Sequence, residues 1–355
     1  MKKIGLLTWH NYNNFGSALQ SYALYKYIND NVAACRIINY NKQKFSIKRI
    51  IKSLVLLLPS DSLCNSSADC KFIKFRLKNI KQTKPVYNEK TLEKESKKFD
   101  ILLSGSDQIW APNVFNPVYM LNFSKNKKKV SYASSIGLND IPKNLIKIYY
   151  SLLSDYSHIS VREEQGVTLL KQKCNIDSTC VLDPTFLLSS NDWDCLQKDR
   201  KFKENYIFCY FLNKEHTYTE TVLKYAKLMN LKIIAISARK YDNQWVDILD
   251  SCGGPIDFLN YIKYANLVIT DSFHGIAFSI IYNKNFYVFE RFKNNDIINQ
   301  NSRIYNILKK LNLNTRILNV NTKEIVLENI DYSSVNKLLD KERKLSIDFI
   351  NNSLT

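Results

Sequence analysis

The sequence predicts an α/β protein with two doubly wound domains, each built on a mainly parallel sheet. The chain has 355 residues, which exceeds what one ordinary core holds and suits two domains of about 150 residues each. Short apolar runs bounded by turn residues alternate with amphipathic stretches, which is the pattern of βαβ units. Because this series occurs twice along the chain, we expect the same architecture in both halves.

The N-terminal domain is expected over residues 1–188. Its predicted strands cover 4–9, 36–39, 101–104, 129–134 and 159–161, and its predicted helices cover 17–29, 143–157 and 163–171. The first helix has apolar residues at 18, 19, 22, 24, 25 and 28, a spacing that places them on one helical face.

The C-terminal domain is expected over residues 189–330, after a turn-rich loop. Its predicted strands cover 206–212, 231–237, 265–270 and 285–289, and its predicted helices cover 214–229, 256–264, 275–282 and 302–311. A last amphipathic helix near 334–351 has no strand of its own. We therefore expect 331–355 to pack at the junction of the two domains.

The segment 40–98 is the irregular, basic part of the N-terminal half. An apolar stripe flanked by lysine and arginine runs through 45–58. A basic amphipathic helix of this kind can lie on anionic lipid, which predicts peripheral contact with the inner face of a membrane. The same stripe suits a helix that covers the sheet or pairs with another subunit, which is the commoner use of such a face.

The composition indicates an acidic partner, or else a lysine-rich chain whose excess charge only keeps its surface solvated. Lysine and arginine number 51 against 33 acidic residues, a formal net charge of +18. No arginine-rich tract or nucleic-acid motif accompanies the charge, so we expect a small polyanion or a membrane surface and no nucleic acid. The eight cysteines include no C-x2-C pair, so we expect no bound metal. With no convincing signal peptide and no apolar run of about 20 residues, a cytoplasmic location is expected.

The run 267–281 is the strongest candidate for chemistry. It predicts a buried strand that ends at Asp271 and a helix that begins around His274 and Gly275. A helix N-terminus leaves unpaired N–H groups and a partial positive charge, which together attract an anion. An imidazole at that point can transfer a proton near neutral pH. The alternative is a core histidine held by the Asp271 carboxylate.

Three other strand ends carry candidate residues. The polar loop 10–16 precedes the first helix, and its amide groups suit a hydroxyl or phosphate, although it is neither a dinucleotide nor a Walker loop. Asp107 follows a strand together with an amide and an indole, and it would accept a hydroxyl proton or cap a turn. Arg162 ends a short strand, where it would bind a carboxylate or phosphate, or pair with Glu163.

Six short motifs follow one another along the chain. They are NNFGSALQSYA at 13–23, FDILLSGSDQIW at 99–110, SYASSIG at 131–137, SVRE at 160–163, LDPT at 182–185 and TDSFHG at 270–275. In their order and spacing the chain resembles the polysaccharide pyruvyl transferase family. The resemblance implies two Rossmann-like domains that face each other across a cleft, as in GT-B glycosyltransferases. It also implies transfer of the pyruvyl group of phosphoenolpyruvate onto a sugar of a bacterial-type surface polysaccharide, or its lipid-linked precursor, as a cyclic ketal without a further cofactor.

The resemblance also implies roles for single residues. His274 corresponds to the general acid that protonates the methylene carbon of the donor, and Arg162 to a donor-binding arginine. Some members have an arginine where this chain has Ser272, so Arg291, Lys293 or Arg303 would supply that cation. The remaining candidates are Asp107 as a second catalytic group; Ser272, Phe273, Gly275 and Arg291 on the donor side; Asn13, Asn14, Gly16, Gln108 and Trp110 with the segment 40–98 on the acceptor side; and Asp271 and Glu163 in support.

Two other functions are compatible with these residues. A GT-B glycosyltransferase that uses a sugar nucleotide would have the same architecture, since one fold permits many chemistries. A non-catalytic envelope protein would instead bind anionic glycolipid through the basic face and the stripe at 45–58.

Overall fold

The N-terminal half is built on a parallel sheet. The computed structural model describes residues 2–41, 67–197, 199–213, 218–236, 245–292, 296, 299–318 and 327–355, so the predicted stripe at 45–58 lies outside the described residues. The strands of this half are β1 (Lys3–Leu7), β2 (Ala34–Ile37), β3 (Ile101–Ser104), β4 (Lys128–Ser131), β5 (Ser160–Val161) and β6 (Thr179–Cys180). Four of them form a sheet in the order β2-β1-β3-β4, and single bridges join the parallel pair β5-β6 to its β4 side.

The described residues of this half form five helices. They are α1 (Phe15–Asn31), α2 (Ala68–Asn79), α3 (Glu89–Ser96), α4 (Lys143–Leu153) and α5 (Glu164–Cys174). Helix α1 begins after Asn14, whose Oδ1 accepts a hydrogen bond of 3.0 Å from the backbone N–H of Ser17. Helices α2 and α3 lie in the segment 40–98, so the expectation that this segment is irregular is wrong for these residues.

The C-terminal half repeats the architecture with a six-stranded sheet. Its strands are β7 (Tyr206–Tyr210), β8 (Lys232–Ile236), β9 (Ile248–Asp250), β10 (Leu267–Thr270), β11 (Phe286–Phe289) and β12 (Ile317–Leu318), and its helices are α6 (Ser190–Asp194), α7 (Thr219–Met229), α8 (Pro255–Tyr264), α9 (Phe273–Ile281), α10 (Ser302–Lys310) and α11 (Tyr332–Leu354). The strand order is β12-β11-β10-β7-β8-β9, and every pairing is parallel. The predicted α/β class with two Rossmann-like, doubly wound sheets is confirmed.

The strand orders locate the point where each sheet can bind a ligand. In the C-terminal sheet the order reverses between β7 and β10, as in a dinucleotide-binding fold; in the N-terminal sheet it reverses between β1 and β3, as in a flavodoxin-like fold. Ligands of open α/β sheets bind outside the carboxyl ends of the strands at such a reversal. The candidate motifs after β1, β3 and β10 therefore all lie at the carboxyl ends of strands where a ligand is expected.

The two halves share one apolar core. Phe15, at the start of α1, stacks on Phe258 of α8 with ring centroids 4.8 Å apart and also contacts Phe72 of α2. Helix α11 contacts both halves, since Ser346 Oγ accepts from the N–H of Leu182 at 2.9 Å while Glu342 pairs with Lys310. Among the described residues, no helix is both long enough and apolar enough to cross a bilayer.

Candidate active site

A cavity of about 120 Å³ lies where the carboxyl ends of β1, β3 and β10 meet. Both halves line it. The N-terminal half contributes Trp9, Asn14, Ser17, Asp107 and Gln108, and the C-terminal half contributes Asp271, Ser272, Phe273, His274, Arg291, Gln300, Asn301 and Arg303 among others. Most of the predicted site residues thus meet at the junction of the two halves.

Two helix N-termini reach this cavity. Helix α9 begins at Phe273, and its capping residue Ser272 accepts a hydrogen bond from the N–H of Gly275 at 3.5 Å. Helix α1 begins at Phe15, and its capping residue Asn14 lines the same cavity. Because each helix start carries partial positive charge and free N–H groups, their convergence favours an anionic ligand.

Gly16 allows α1 to approach the imidazole of His274. A Cβ atom at residue 16 would overlap Nδ1 and Cε1 of the His274 ring. At residue 275 a Cβ atom would lie 2.6 Å from Oγ1 of Thr270, so Gly275 allows α9 to turn back tightly over β10. Both predicted glycines thus shape the site by the absence of a side chain.

Asp183 faces the other side of the His274 ring. Its Oδ2 lies 3.7 Å from Nε2 of His274 and accepts a hydrogen bond of 2.7 Å from Nη1 of Arg162. Its Oδ1 accepts from the N–H and the hydroxyl of Thr185 at 3.0 and 2.8 Å. Burial would raise the pKa of Asp183, but the facing His274 and Arg162 hold that pKa well below its ordinary value. A buried carboxylate therefore stands behind the imidazole.

The sequence assigned no role to Asp183 and considered Asp271 as the acidic partner of His274. That alternative is wrong, because the Asp271 oxygens accept hydrogen bonds from the backbone N–H groups of Leu212 and Asn213 at 2.7 and 2.8 Å. Burial raises the pKa of Asp271, while these two N–H groups lower it. Asp271 thus fixes the loop after β7 to the end of β10, and it also lines the cavity.

Arg162 lies behind the cavity wall. It is buried, it pairs with Asp183, and its guanidinium carbon lies 4.7 Å from the centroid of the Phe273 ring. Its Nε and Nη2 have no hydrogen-bond partner among the described residues. The structure therefore connects Arg162 to His274 through their shared carboxylate.

Arg291 and Arg303 are the arginines that line the cavity in the described part of the chain. Burial and the neighbouring Arg162 lower the pKa of Arg303 to about 10, which remains high enough for a positive charge at neutral pH. Lys293, the third residue considered as a replacement for the cation missing at Ser272, lies outside the described residues. The wall therefore carries two cations in addition to the two helix N-termini.

Asp107 enters the cavity on a backbone that few residues adopt. Its φ is 75°, in the left-handed region that costs a non-glycine residue conformational energy. Its Oδ2 accepts a hydrogen bond of 2.5 Å from Ser17 Oγ, and its Oδ1 accepts one of 2.9 Å from the N–H of Gln108. Backbone strain of this kind persists only where surrounding contacts maintain it, and it is common at functional sites.

Glu163 supports the loop behind Gln108. Its Oε1 accepts hydrogen bonds from Ser135 Oγ and from the N–H groups of Ile136 and Gly137, at 2.9 to 3.1 Å. Gly137 has a φ of 67°, and a Cβ atom there would overlap the side-chain amide of Gln108. Glu163 therefore holds a turn against which Gln108 packs.

Two residues predicted for the acceptor side lie elsewhere. Trp110 is completely buried and its indole N–H points to Ser104 Oγ and the carbonyl of Tyr119, both at 3.2 Å, so the prediction that it binds a sugar is wrong. Asn13 pairs with Asp69 and Arg76 of α2 and does not line the cavity. Trp9 lines the cavity instead. Its position at the end of the first predicted strand would have made it a candidate site residue.

Comparisons with solved structures agree with the observed architecture. UDP-GlcNAc 2-epimerase from Methanocaldococcus jannaschii is 13% identical, with a TM-score of 0.54 over 96% of this chain and 92% of that one. An alpha-glucosyltransferase in complex with UDP and DNA is 10% identical, with a TM-score of 0.52 over 99% of this chain and 93% of that one. At these identities the likeness shows the fold alone, which is of the GT-B type.

Sequence comparison identifies the family. No curated protein matches the chain significantly. The family model for polysaccharide pyruvyl transferase matches residues 14–294, a span that contains His274, Asp183, Asp107 and both helix N-termini of the cavity. This match covers most of the chain, and the chain belongs to the polysaccharide pyruvyl transferase family.

Proposed function

We propose that the chain transfers the pyruvyl group of phosphoenolpyruvate onto a sugar of a surface polysaccharide, or its lipid-linked precursor, as a cyclic ketal. The observation that carries the proposal is the position of His274, in the first turn of α9, against the N-terminus of α1 and near the buried Asp183 carboxylate. This arrangement combines an anion site with a group that can donate a proton.

Phosphoenolpyruvate suits the cavity because it carries a phosphate and a carboxylate on three carbons. Arg291 and Arg303 would bind these groups with charge-assisted hydrogen bonds, and the N-termini of α1 and α9 would add backbone donors. Arg162 would contribute to the same positive potential from behind Asp183. The donor thus needs no further cation at Ser272.

Charges of opposite sign surround the His274 ring. The Asp183 carboxylate, which Arg162 shares, lies 3.7 Å from Nε2 and attracts positive charge, while the N-terminus of α9 repels it. A bound donor would bring further negative charge to the ring.

The chemistry then proceeds in balanced steps. His274 gives its proton to the methylene carbon of the donor, which becomes a methyl group, and the adjacent carbon becomes electrophilic. One sugar hydroxyl adds to that carbon and loses its proton to Asp107. Phosphate leaves with its bonding electron pair, a second hydroxyl adds in its place, and the proton of that hydroxyl passes to the departing phosphate or to water. The products are the ketal and inorganic phosphate.

This chemistry is tested by running the reaction in deuterium oxide. The protein is incubated with phosphoenolpyruvate and a panel of defined sugars, and phosphate release and product mass are followed. We expect phosphate release that depends on one sugar, and a ketal whose methyl group carries one solvent deuterium. Phosphate release with a product methyl group free of deuterium would contradict protonation at carbon.

Transfer from a sugar nucleotide is the second candidate, favoured by the likeness of the fold to UDP-binding enzymes. Thermal unfolding in the presence of phosphoenolpyruvate or of a UDP-sugar separates the two, because a ligand of the folded state raises the melting temperature. We expect a shift with phosphoenolpyruvate. A shift with the UDP-sugar alone would favour the second candidate.

A further inference from the structure

We propose that Trp9 and Tyr12 form an aromatic ledge that binds the acceptor as a pyranose ring and places two of its hydroxyls at Asp107 and Gln108. This inference rests on the proposed function, since it names the acceptor class and the acceptor position in the same cavity.

The ledge begins at the end of β1. Trp9 is half-buried and lines the cavity, and its ring packs edge-on against Tyr119 with centroids 6.4 Å apart. Tyr12 packs against Trp9 at 5.4 Å and an angle of 64°, and 53% of its surface is exposed. Trp9 is therefore fixed from behind, while Tyr12 extends the aromatic surface into solvent.

The polar neighbours of the ledge favour a carbohydrate over a purely apolar ligand. Trp9 lines the same cavity as the Asp107 carboxylate, and burial together with the charge of Asp107 raises the pKa of Tyr12. A pyranose has one face of C–H groups and a rim of hydroxyls. Its C–H groups suit the electron-rich face of an aromatic ring, and its rim suits the carboxylate beside it.

Asp107 and Gln108 supply the groups that two hydroxyls need. Each Asp107 oxygen already accepts one hydrogen bond, from Ser17 and from the Gln108 backbone, and a carboxylate oxygen can accept a second. Gln108 lines the cavity, and its side-chain nitrogen, which lies against Gly137, has no hydrogen-bond partner among the described residues. A cyclic ketal joins two hydroxyls of one sugar, so adjacent sites for two hydroxyls are what the reaction requires.

Direct sugar binding tests the ledge independently of turnover. Saturation-transfer NMR with the methyl glycosides of galactose, glucose, mannose and N-acetylglucosamine is measured on the full chain and on Tyr12→Ala, Tyr12→Phe and Tyr150→Ala. Tyr150 is the matched control because it lies on α4 and is 52% exposed, almost the same as Tyr12. The melting-temperature shift with phosphoenolpyruvate is recorded for each variant.

We expect at least one glycoside to bind, and Tyr12→Ala to raise its dissociation constant roughly tenfold. Tyr12→Phe and Tyr150→Ala should remain within about twofold of the original chain, because both keep the aromatic ledge. The ledge is overturned if no glycoside binds, or if Tyr12→Ala binds as Tyr150→Ala does. If sugar binding depends on Tyr12 but phosphoenolpyruvate gives no shift in any variant, the proposed donor is wrong and the carbohydrate site remains.

Discussion

Gly16 and Asp183 both lie next to the His274 ring. Gly16 leaves space for Nδ1 at the start of α1, and Asp183 lies near Nε2. The glycine at a helix start could be predicted from the sequence because it is a local signal, but its contact with the His274 ring could not. The contact between Asp183 and His274 joins distant parts of the chain and depends on how the two halves pack.

Gly16→Ala tests the approach of α1 to the ring. Alanine favours a helix over glycine by up to about 1 kcal/mol, so the fold should persist. The added methyl group would displace the imidazole, and we expect kcat for phosphate release to fall at least tenfold by loss of alignment. Gly166→Ala is the control, because Gly166 is also in the first turn of a helix and a Cβ atom there meets no atom closer than 3.3 Å. Equal rates for the two variants would contradict the role of Gly16.

Asp183→Asn tests the buried carboxylate through pH. The pKa of Asp183 is depressed in the folded chain, so its charge adds stability above its ordinary pKa, and this stability is lost as pH falls from there through the depressed value. We expect the variant to lose roughly 3 kcal/mol of unfolding free energy at pH 7, measured with denaturant, and distinctly less at pH 3. A stability loss that is the same at both pH values would show that Asp183 is not charged in the folded chain.

The turn from β10 to α9 could be predicted because its signals are local in the sequence. An apolar strand, a capping serine and a glycine lie in consecutive residues, so the position of His274 could be predicted. Helices α2 and α3 could not, because their lysine-rich sequences have no strong apolar face and depend on packing against the rest of the chain.

Trp110 was misassigned for a related reason. An indole after a strand end has the same sequence context whether it points into a cavity or into the core. Here its N–H completes hydrogen bonds to Ser104 and Tyr119. We expect Trp110→Phe to lose about 1–3 kcal/mol of unfolding free energy while the half-saturation of the acceptor stays unchanged. A selective rise in acceptor half-saturation at unchanged stability would restore the sugar-binding role.

The packing of the two halves places the point of strand-order reversal of each sheet at the same cavity. The alternation of strands and helices predicted both sheets, but the sequence could not show which loops meet, since that depends on the shared core around Phe15 and on α11. Because these loops meet, Arg291, Arg303 and two helix N-termini surround a cavity of about 120 Å³. The formal charge of +18 adds a longer-range attraction for anions.

Arg303→Gln tests this positive potential. Removing a cation from the wall should raise the half-saturation of phosphoenolpyruvate about tenfold and change kcat less. Added salt should raise the half-saturation less in the variant than in the original chain, because one of the charges that salt screens is gone. Titrations at low and high salt measure both effects, and an unchanged donor affinity would exclude Arg303 from the donor site.

We propose above that His274 gives a proton to a donor held by the rest of the cavity. The direct measurement is the rate of phosphate release from saturating phosphoenolpyruvate and acceptor by His274→Gln, together with the donor-induced shift in melting temperature. We expect a rate at least about 10² lower than that of the original chain, with the donor-induced shift in melting temperature retained. A variant that releases phosphate at close to the original rate would contradict it.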